Sequence, residues 1–182
     1  FPMNFQSYAH GKNHWLLDPD LKPVLQHYWP EFPQHEAELA QFGALAGGRA
    51  YEVADWVDRS APPELVMHDL DGQRVDRARL DPAHAQLLQD IAWINRPPYQ
   101  GGSWLHHYAL GYLLADTGLY CTLIVTNQTA YVVYKYAPDQ HAWLDRLLSG
   151  MYWGATWMSE MQGGSDLGSN NTVARLENGA WR

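Results

Sequence analysis

LYCTLIVTNQTAYVVYKY, residues 119–136, runs without a glycine or a proline, and whether it is strand or helix decides the fold class of the chain. Its valine, isoleucine, threonine and tyrosine content favours extended backbone, where branched and aromatic side chains pack well on a pleated surface. Its unbroken length, and the apolar set Leu119, Leu123, Ala130 and Val133, suit a buried helix instead. Propensity alone leaves both readings open.

Outward from this stretch the punctuation is helical. Asp139 is a candidate cap for a helix bearing Trp143, Leu144, Leu147 and Leu148 and stopped by Gly150. Upstream, Ser103 caps a helix carrying Leu105, Tyr108, Ala109, Tyr112 and Leu113, with Gly118 as its exit. Asp81-Pro82 opens another, with Leu87, Leu88, Ile91 and Ile94 on one face and Pro97-Pro98 beyond it. Nearer the start, Asp18-Pro19-Asp20 precedes a short helix with Leu21, Val24, Leu25 and Tyr28, which Pro30 and Pro33 break. Leu39, Phe42, Leu45 and Ala46 then recur at helical spacing until Gly47-Gly48 interrupts, and Tyr51, Ala54 and Val57 resume the pattern. Asp69-Leu70-Asp71-Gly72 resembles the start of a calcium loop but lacks the later ligands and the closing glutamate, so it reads as a plain turn.

After Gly150 the texture changes. Met151 to Ser159 is aromatic and β-prone, Asn171 to Leu176 alternates as a strand does, and Asn178-Gly179 is a hairpin signal. A second strand of only Ala180-Trp181-Arg182 cannot complete a sheet, so the sequence reads as a piece of a longer protein.

Composition excludes several functions. Twelve lysines and arginines against 20 acidic residues give a net charge of -8, which builds no basic stripe for a phosphate backbone, so no nucleic acid is expected to bind. No segment approaches the roughly 20 apolar residues of a membrane span. The single Cys121 rules out an internal disulfide, lies in an apolar segment without a partner base, and reads as a buried structural thiol. Phe1-Pro2-Met3-Asn4 shows no signal-peptide pattern, and a cytoplasmic protein is expected. The histidines, His106-His107 included, form no HExxH pair, so no metal site and no catalytic base is assigned and they read as surface or capping residues. Nine tryptophans and 11 tyrosines are many for this length, and core filling is the expected role of most.

One stretch carries chemistry. In Met158-Ser159-Glu160-Met161-Gln162-Gly163-Gly164-Ser165-Asp166 two successive glycines let the backbone bend with no Cβ in the way. Its N–H groups and the Ser165 hydroxyl could then converge on an anion. The alternative is a simple β-turn with Asp166 as an Asx cap.

The order Ser-Glu-x-x-Gly-Gly-Ser-Asp-x-x-Ser, Ser159 to Ser169, resembles the signature of the acyl-CoA dehydrogenase family. With PPELVMHDLDGQRVDRARLDPAHAQLLQ, residues 62–89, the sequence is most similar to the family's AidB-like branch. Trp157 departs from it, since the signature prefers a small residue there. The resemblance implies a mainly α fold. A helical N-terminal bundle, residues 1–150, would precede the truncated start of a β-barrel-like, flavin-binding middle domain, residues 151–182, and residues 119–136 would be helical. It implies FAD as cofactor, held in the parent protein by Thr156, Trp157, Met158, Ser159, Gly163, Gly164 and Ser165. Met158 and Ser159 would face the pyrimidine edge of the flavin, and Gly164 and Ser165 the pyrophosphate. It further implies an acyl-CoA-like substrate, a homo-oligomeric (tetrameric) parent, a catalytic carboxylate outside this chain, a structural role for Glu160, and a link to DNA-alkylation defence through regions absent here. A non-catalytic helical interaction module is the competing reading.

Overall fold

The computed structural model describes residues 7–182; the first residues, on which the absence of a leader pattern was read, lie outside the described part. The disputed stretch is a helix. Among the described residues eight α-helices run α1 (His14–Leu17), α2 (Leu21–Tyr28), α3 (Phe32–Leu45), α4 (Tyr51–Ser60), α5 (Pro82–Ile91), α6 (Trp104–Leu113), α7 (Tyr120–Tyr136) and α8 (His141–Leu148). Short 3-10 and π turns link several of them, and two short hairpins accompany them: β1 (Glu64–His68) with β2 (Arg74–Arg79), and β3 (Leu176–Glu177) with β4 (Ala180–Trp181). No helix among the described residues is long and apolar enough to cross a membrane.

The core lies where α3, α5, α6 and the start of α7 meet. Phe32, Leu39, Leu87, Ile91, Ile94, Leu110, Leu113, Leu114 and Leu123 are sealed from water there. Two of these helices, α5 and α6, start at caps read from the sequence. The Asp81 carboxylate accepts from Ala83 N at 2.8 Å with Pro82 in the first turn, and Ser103 Oγ accepts from Leu105 N at 3.0 Å. Gly118 takes φ +71° and Gly150 φ +76°, the left-handed conformation that ends a helix. Asp139 is not the cap of α8: the helix starts one residue later, from Gln140, whose carbonyl accepts from Trp143 N and Leu144 N.

Gly47 and Gly48 bend the path from α3 to α4 through a π-helical turn, residues Ala46–Ala50, kinked at Gly48. Gly43 and Gly47, one helical turn apart, also let the N-terminal segment cross α3 in close contact. A Cβ on Gly47 would lie 1.6 Å from Lys12 O, and one on Gly43 2.4 Å from Asn13 Oδ1 and 2.5 Å from Trp15 N. Gly11 N donates to Gly47 O at 2.7 Å, Asn13 Nδ2 donates to Ala40 O at 2.9 Å, and Asn13 Oδ1 caps α1 through Trp15 N. Trp15 is thereby pressed against Phe32.

Two sequence expectations, on Cys121 and on the aromatic rings, are corrected here. Asp69 closes the turn expected of it, accepting from Asp71 N at 2.9 Å and Gln73 N at 2.8 Å, and its flanks pair as β1 and β2. These strands cover nothing, and every residue of β2 is exposed, so no apolar alternation marked them. Cys121 is exposed, on the outer side of α7. Most described aromatic rings do not fill the core: Trp15, Trp29, Phe32 and Phe42 do, whereas Tyr108, Tyr112, Tyr131, Tyr134, Tyr136 and Trp157 remain exposed over much of their surface.

Candidate functional site

Two places combine polar groups with open space, and α7 links them. Its inward face is half polar: Leu123, Thr126, Asn127 and Ala130 are all buried. Thr126 Oγ1 donates back to Thr122 O at 2.8 Å, and Asn95 Nδ2 donates to Leu123 O at 3.0 Å. Asn127 joins a network in which His107 donates through Nδ1 to Ile94 O at 3.0 Å. That fixes Nε2 as an acceptor for Tyr120 Oη at 2.9 Å and Asn127 Nδ2 at 3.0 Å, while Tyr99 Oη donates to Asn127 Oδ1 at 2.5 Å. Burial pushes the His107 pKa down and the Tyr99 and Tyr120 phenols up, so all three rings stay neutral. Outside this network, Trp104, Tyr108, Ile124, Asn127, Gln128 and Tyr131 line a cleft of about 310 Å³ between α6 and α7. Its walls are mostly rings and hydrocarbon, with the amides of Asn127 and Gln128 as polar groups, a lining suited to an apolar chain or a planar ring.

The second place is the segment after α8, which is tied to the other side of α7. Gly154 N donates to Thr126 Oγ1 at 3.0 Å, and a Cβ on Gly154 would fall 2.3 Å from Thr129 Oγ1. Only glycine lets the chain lie this close to the helix. After a bend at Met151 and Tyr152, residues 153–159 form no strand, since among the described residues no neighbouring strand offers them a ladder.

The glycine turn follows. Glu160 and Gly163 exchange backbone hydrogen bonds, Glu160 N to Gly163 O at 2.7 Å and Gly163 N to Glu160 O at 3.2 Å. A Cβ on Gly163 would sit 2.7 Å from Asp166 O, so the turn closes tightly on itself. The Glu160 carboxylate crosses the loop and accepts from Asn171 N at 2.8 Å and Thr172 N at 3.0 Å. The Thr172 side chain, the Asn171 amide and the Gln162 amide hold its pKa down at about 2. Glu160 is thus a brace. Asp166 Oδ1 accepts from Gly168 N at 3.1 Å, the Asx arrangement, and Asn170 Nδ2 donates to Met158 O at 2.7 Å.

Of the seven residues singled out in the sequence, the turn brings Ser159 and Gly164 side by side, the Ser159 Oγ 3.2 Å from where a Gly164 Cβ would stand. Among the described residues the Gly164 and Ser165 amides have no hydrogen-bond partner, and beside them stands the exposed Ser165. Two free N–H groups and two hydroxyls suit phosphate oxygens or the polar edge of a ring. Thr156, Trp157 and Met158 extend from this turn with their side chains in solvent, Trp157 90% exposed.

Comparison with solved proteins defines the class of fold. Bd2924 in its apo form is 25% identical, with a TM-score of 0.79 over 97% of this chain and 38% of that one. Caenorhabditis elegans ACDH-11, solved in complex with C11-CoA, is 20% identical, with a TM-score of 0.73 over 92% of this chain and 32% of its own. The fold is that of the acyl-CoA dehydrogenase-like proteins. Residues 4–153 match the adaptive response protein AidB N-terminal domain, and the chain belongs to that family. AidB of Escherichia coli (strain K12), named as a candidate acyl-CoA dehydrogenase, is 30% identical over 146 residues, 66% of this chain and 27% of AidB. The chain thus spans about a quarter of that relative's length.

Proposed function

We propose that this chain is the N-terminal part of an FAD-dependent, acyl-CoA dehydrogenase-like oxidoreductase of the AidB type. Residues 1–150 would form its helical domain, and residues 151–182 would begin the flavin-binding domain. The observation that carries the proposal is the Ser159–Gly164–Ser165 turn, with unpartnered amides, close to a family-wide helical scaffold. FAD would supply a hydride acceptor for oxidation of a CH–CH bond. The Ser159 hydroxyl would donate to the polar edge of the ring, and the Gly164 and Ser165 amides would neutralise a phosphate oxygen. Gly163 would lie against the same ligand, and the Glu160 brace would hold that geometry without touching it. Thr156, Trp157 and Met158 would flank the ring, with the indole as a wall that becomes covered only when the cofactor and the remaining domains are present.

The substrate class follows the same reading: an acyl-CoA-like thioester, handled by a cytoplasmic homo-oligomer. The apolar cleft beside Ile124 and Tyr131 offers a wall for its hydrocarbon part. The test is flavin content. Protein expressed from the complete reading frame is expected to purify yellow, and Gly164→Val with Ser165→Ala to lose most of its absorbance while keeping wild-type helicity. Flavin content unchanged in the double variant would overturn the assignment of this turn.

A further inference from the structure

α3 and α6 bring three metal-binding side chains to one point. His35 and Glu38 lie three residues apart, on one face of α3. His106, in the first turn of α6, meets them from the facing helix, its Nε2 hydrogen-bonded to Glu38 Oε1. His35 Nδ1 lies 3.9 Å from the same carboxylate, the two imidazole centroids are 4.2 Å apart, and one ligand atom from each residue falls within 4.8 Å of the others. An ordinary ion pair requires only His106 and Glu38. The second imidazole is placed by Trp29, whose ring stacks on His35 at 4.9 Å and leans on His106 at 5.1 Å.

We propose that His35, Glu38 and His106 bind a divalent transition-metal ion, zinc by the chemistry of the set. Two imidazoles and one carboxylate are the ligands of a four-coordinate zinc that keeps one position for water. In such a site metal–ligand bonds are about 2.0–2.1 Å, which places neighbouring ligand atoms roughly 3.3 Å apart. Reaching this needs the Glu38–His106 pair to part slightly and His35 to close in, movements within the reach of χ rotations. Trp29, sealed in the core, forms a dry back wall, while the half-exposed Glu38 leaves the front open to solvent and to a water ligand. The ion clips α3 to α6, the two helices that carry much of the core, and this role is independent of the flavin reading.

The 182-residue chain, stripped with a chelator, is titrated with zinc chloride by calorimetry and with cobalt(II) chloride by visible absorption. One equivalent of zinc is expected to bind, with the ligand-field bands of four-coordinate cobalt. At a hundredfold excess over Kd, zinc is expected to raise the melting midpoint by about 5–10 °C. Glu38→Gln and His35→Ala, both at partly exposed positions, are each expected to weaken binding roughly tenfold or more and to remove the cobalt bands, with unchanged helicity. Less than half an equivalent bound by the wild-type chain overturns the proposal. So does binding of equal strength in both variants, which would place the metal on scattered surface histidines.

Discussion

Replacing Gly47 by alanine tests the packing of the N-terminal segment, because two effects of known sign oppose each other. Alanine favours the helical state by about 1 kcal/mol over glycine, so propensity alone predicts a more stable protein. The structure predicts the reverse. The new Cβ would lie 1.6 Å from Lys12 O and 2.9 Å from His14 Cδ2, where an ordinary contact needs roughly 3.4 Å or more, and a backbone carbonyl cannot rotate aside. The segment must rise by more than 1 Å. The Gly11–Gly47 hydrogen bond then breaks, and Trp15, 7% exposed, loses much of its contact with Phe32. Complete loss of a buried tryptophan costs about 3–5 kcal/mol, so with the propensity gain subtracted the net loss reaches at most about 2–4 kcal/mol. For a chain of this size that lowers the melting midpoint by at most roughly 4–16 °C. Urea unfolding followed by tryptophan fluorescence and far-ultraviolet dichroism measures it, with Gly43→Ala as a second site of the same groove. A midpoint unchanged or raised in both variants would refute the crossing described here.

Other outcomes follow from the polar interior. Burial depresses the His107 pKa below its ordinary value of 6.5, so the unfolded chain takes up this proton first. The contribution is complete above about pH 6.5 and is lost as pH falls through that value towards the depressed folded one, so the urea midpoint should drop on acidification below about pH 6.5, less steeply in His107→Gln. Glu160, held at about 2 against an ordinary 4.5, contributes above 4.5 and loses its effect as pH falls towards 2; Glu160→Gln should remove that acid-limb dependence, read as fluorescence of a probe on the loop. Asn127→Ala removes one donor to His107 and the side-chain acceptor of the Tyr99 hydroxyl, which keeps only Asn127 O at 3.2 Å, and should lower stability by about 1–2 kcal/mol in denaturant titration. Native protein should react fully with a thiol reagent at Cys121, whereas a buried thiol would react only on unfolding. With its charge of -8 the chain should not retard duplex DNA in a gel even at low salt, and salt-sensitive retardation would contradict that expectation.

Helix boundaries set by local chemistry were legible in the sequence. Asp81 and Ser103 cap as their residue types require, Gly118 and Gly150 terminate, and Asn178-Gly179 turns with both residues at positive φ. α7 was not legible from its own residues, since its buried face mixes Leu123 and Ala130 with Thr126 and Asn127 and therefore shows no clean apolar period. Only the resemblance carried by the distant Ser159–Ser169 motif separated helix from strand there. The β1–β2 hairpin escaped because both of its faces meet water, which removes the alternation by which strands are read. The His35–Glu38–His106 cluster spans residues far apart in sequence, and nothing local to His106 announces Glu38; tertiary packing of α3 on α6 creates it.

The β1–β2 ribbon has a consequence of its own. Leu65, Met67 and Val75 lie open on it, Asp76 sits at φ +41°, and the register shifts between Val66 and His68. Two strands with no layer beneath them are marginal in water. Residues 64–79 should therefore open and reclose far more often than the helices they join, exchanging their amide hydrogens early. A protease should make its first cut there, and would leave two helical halves still held together through α3 and α6.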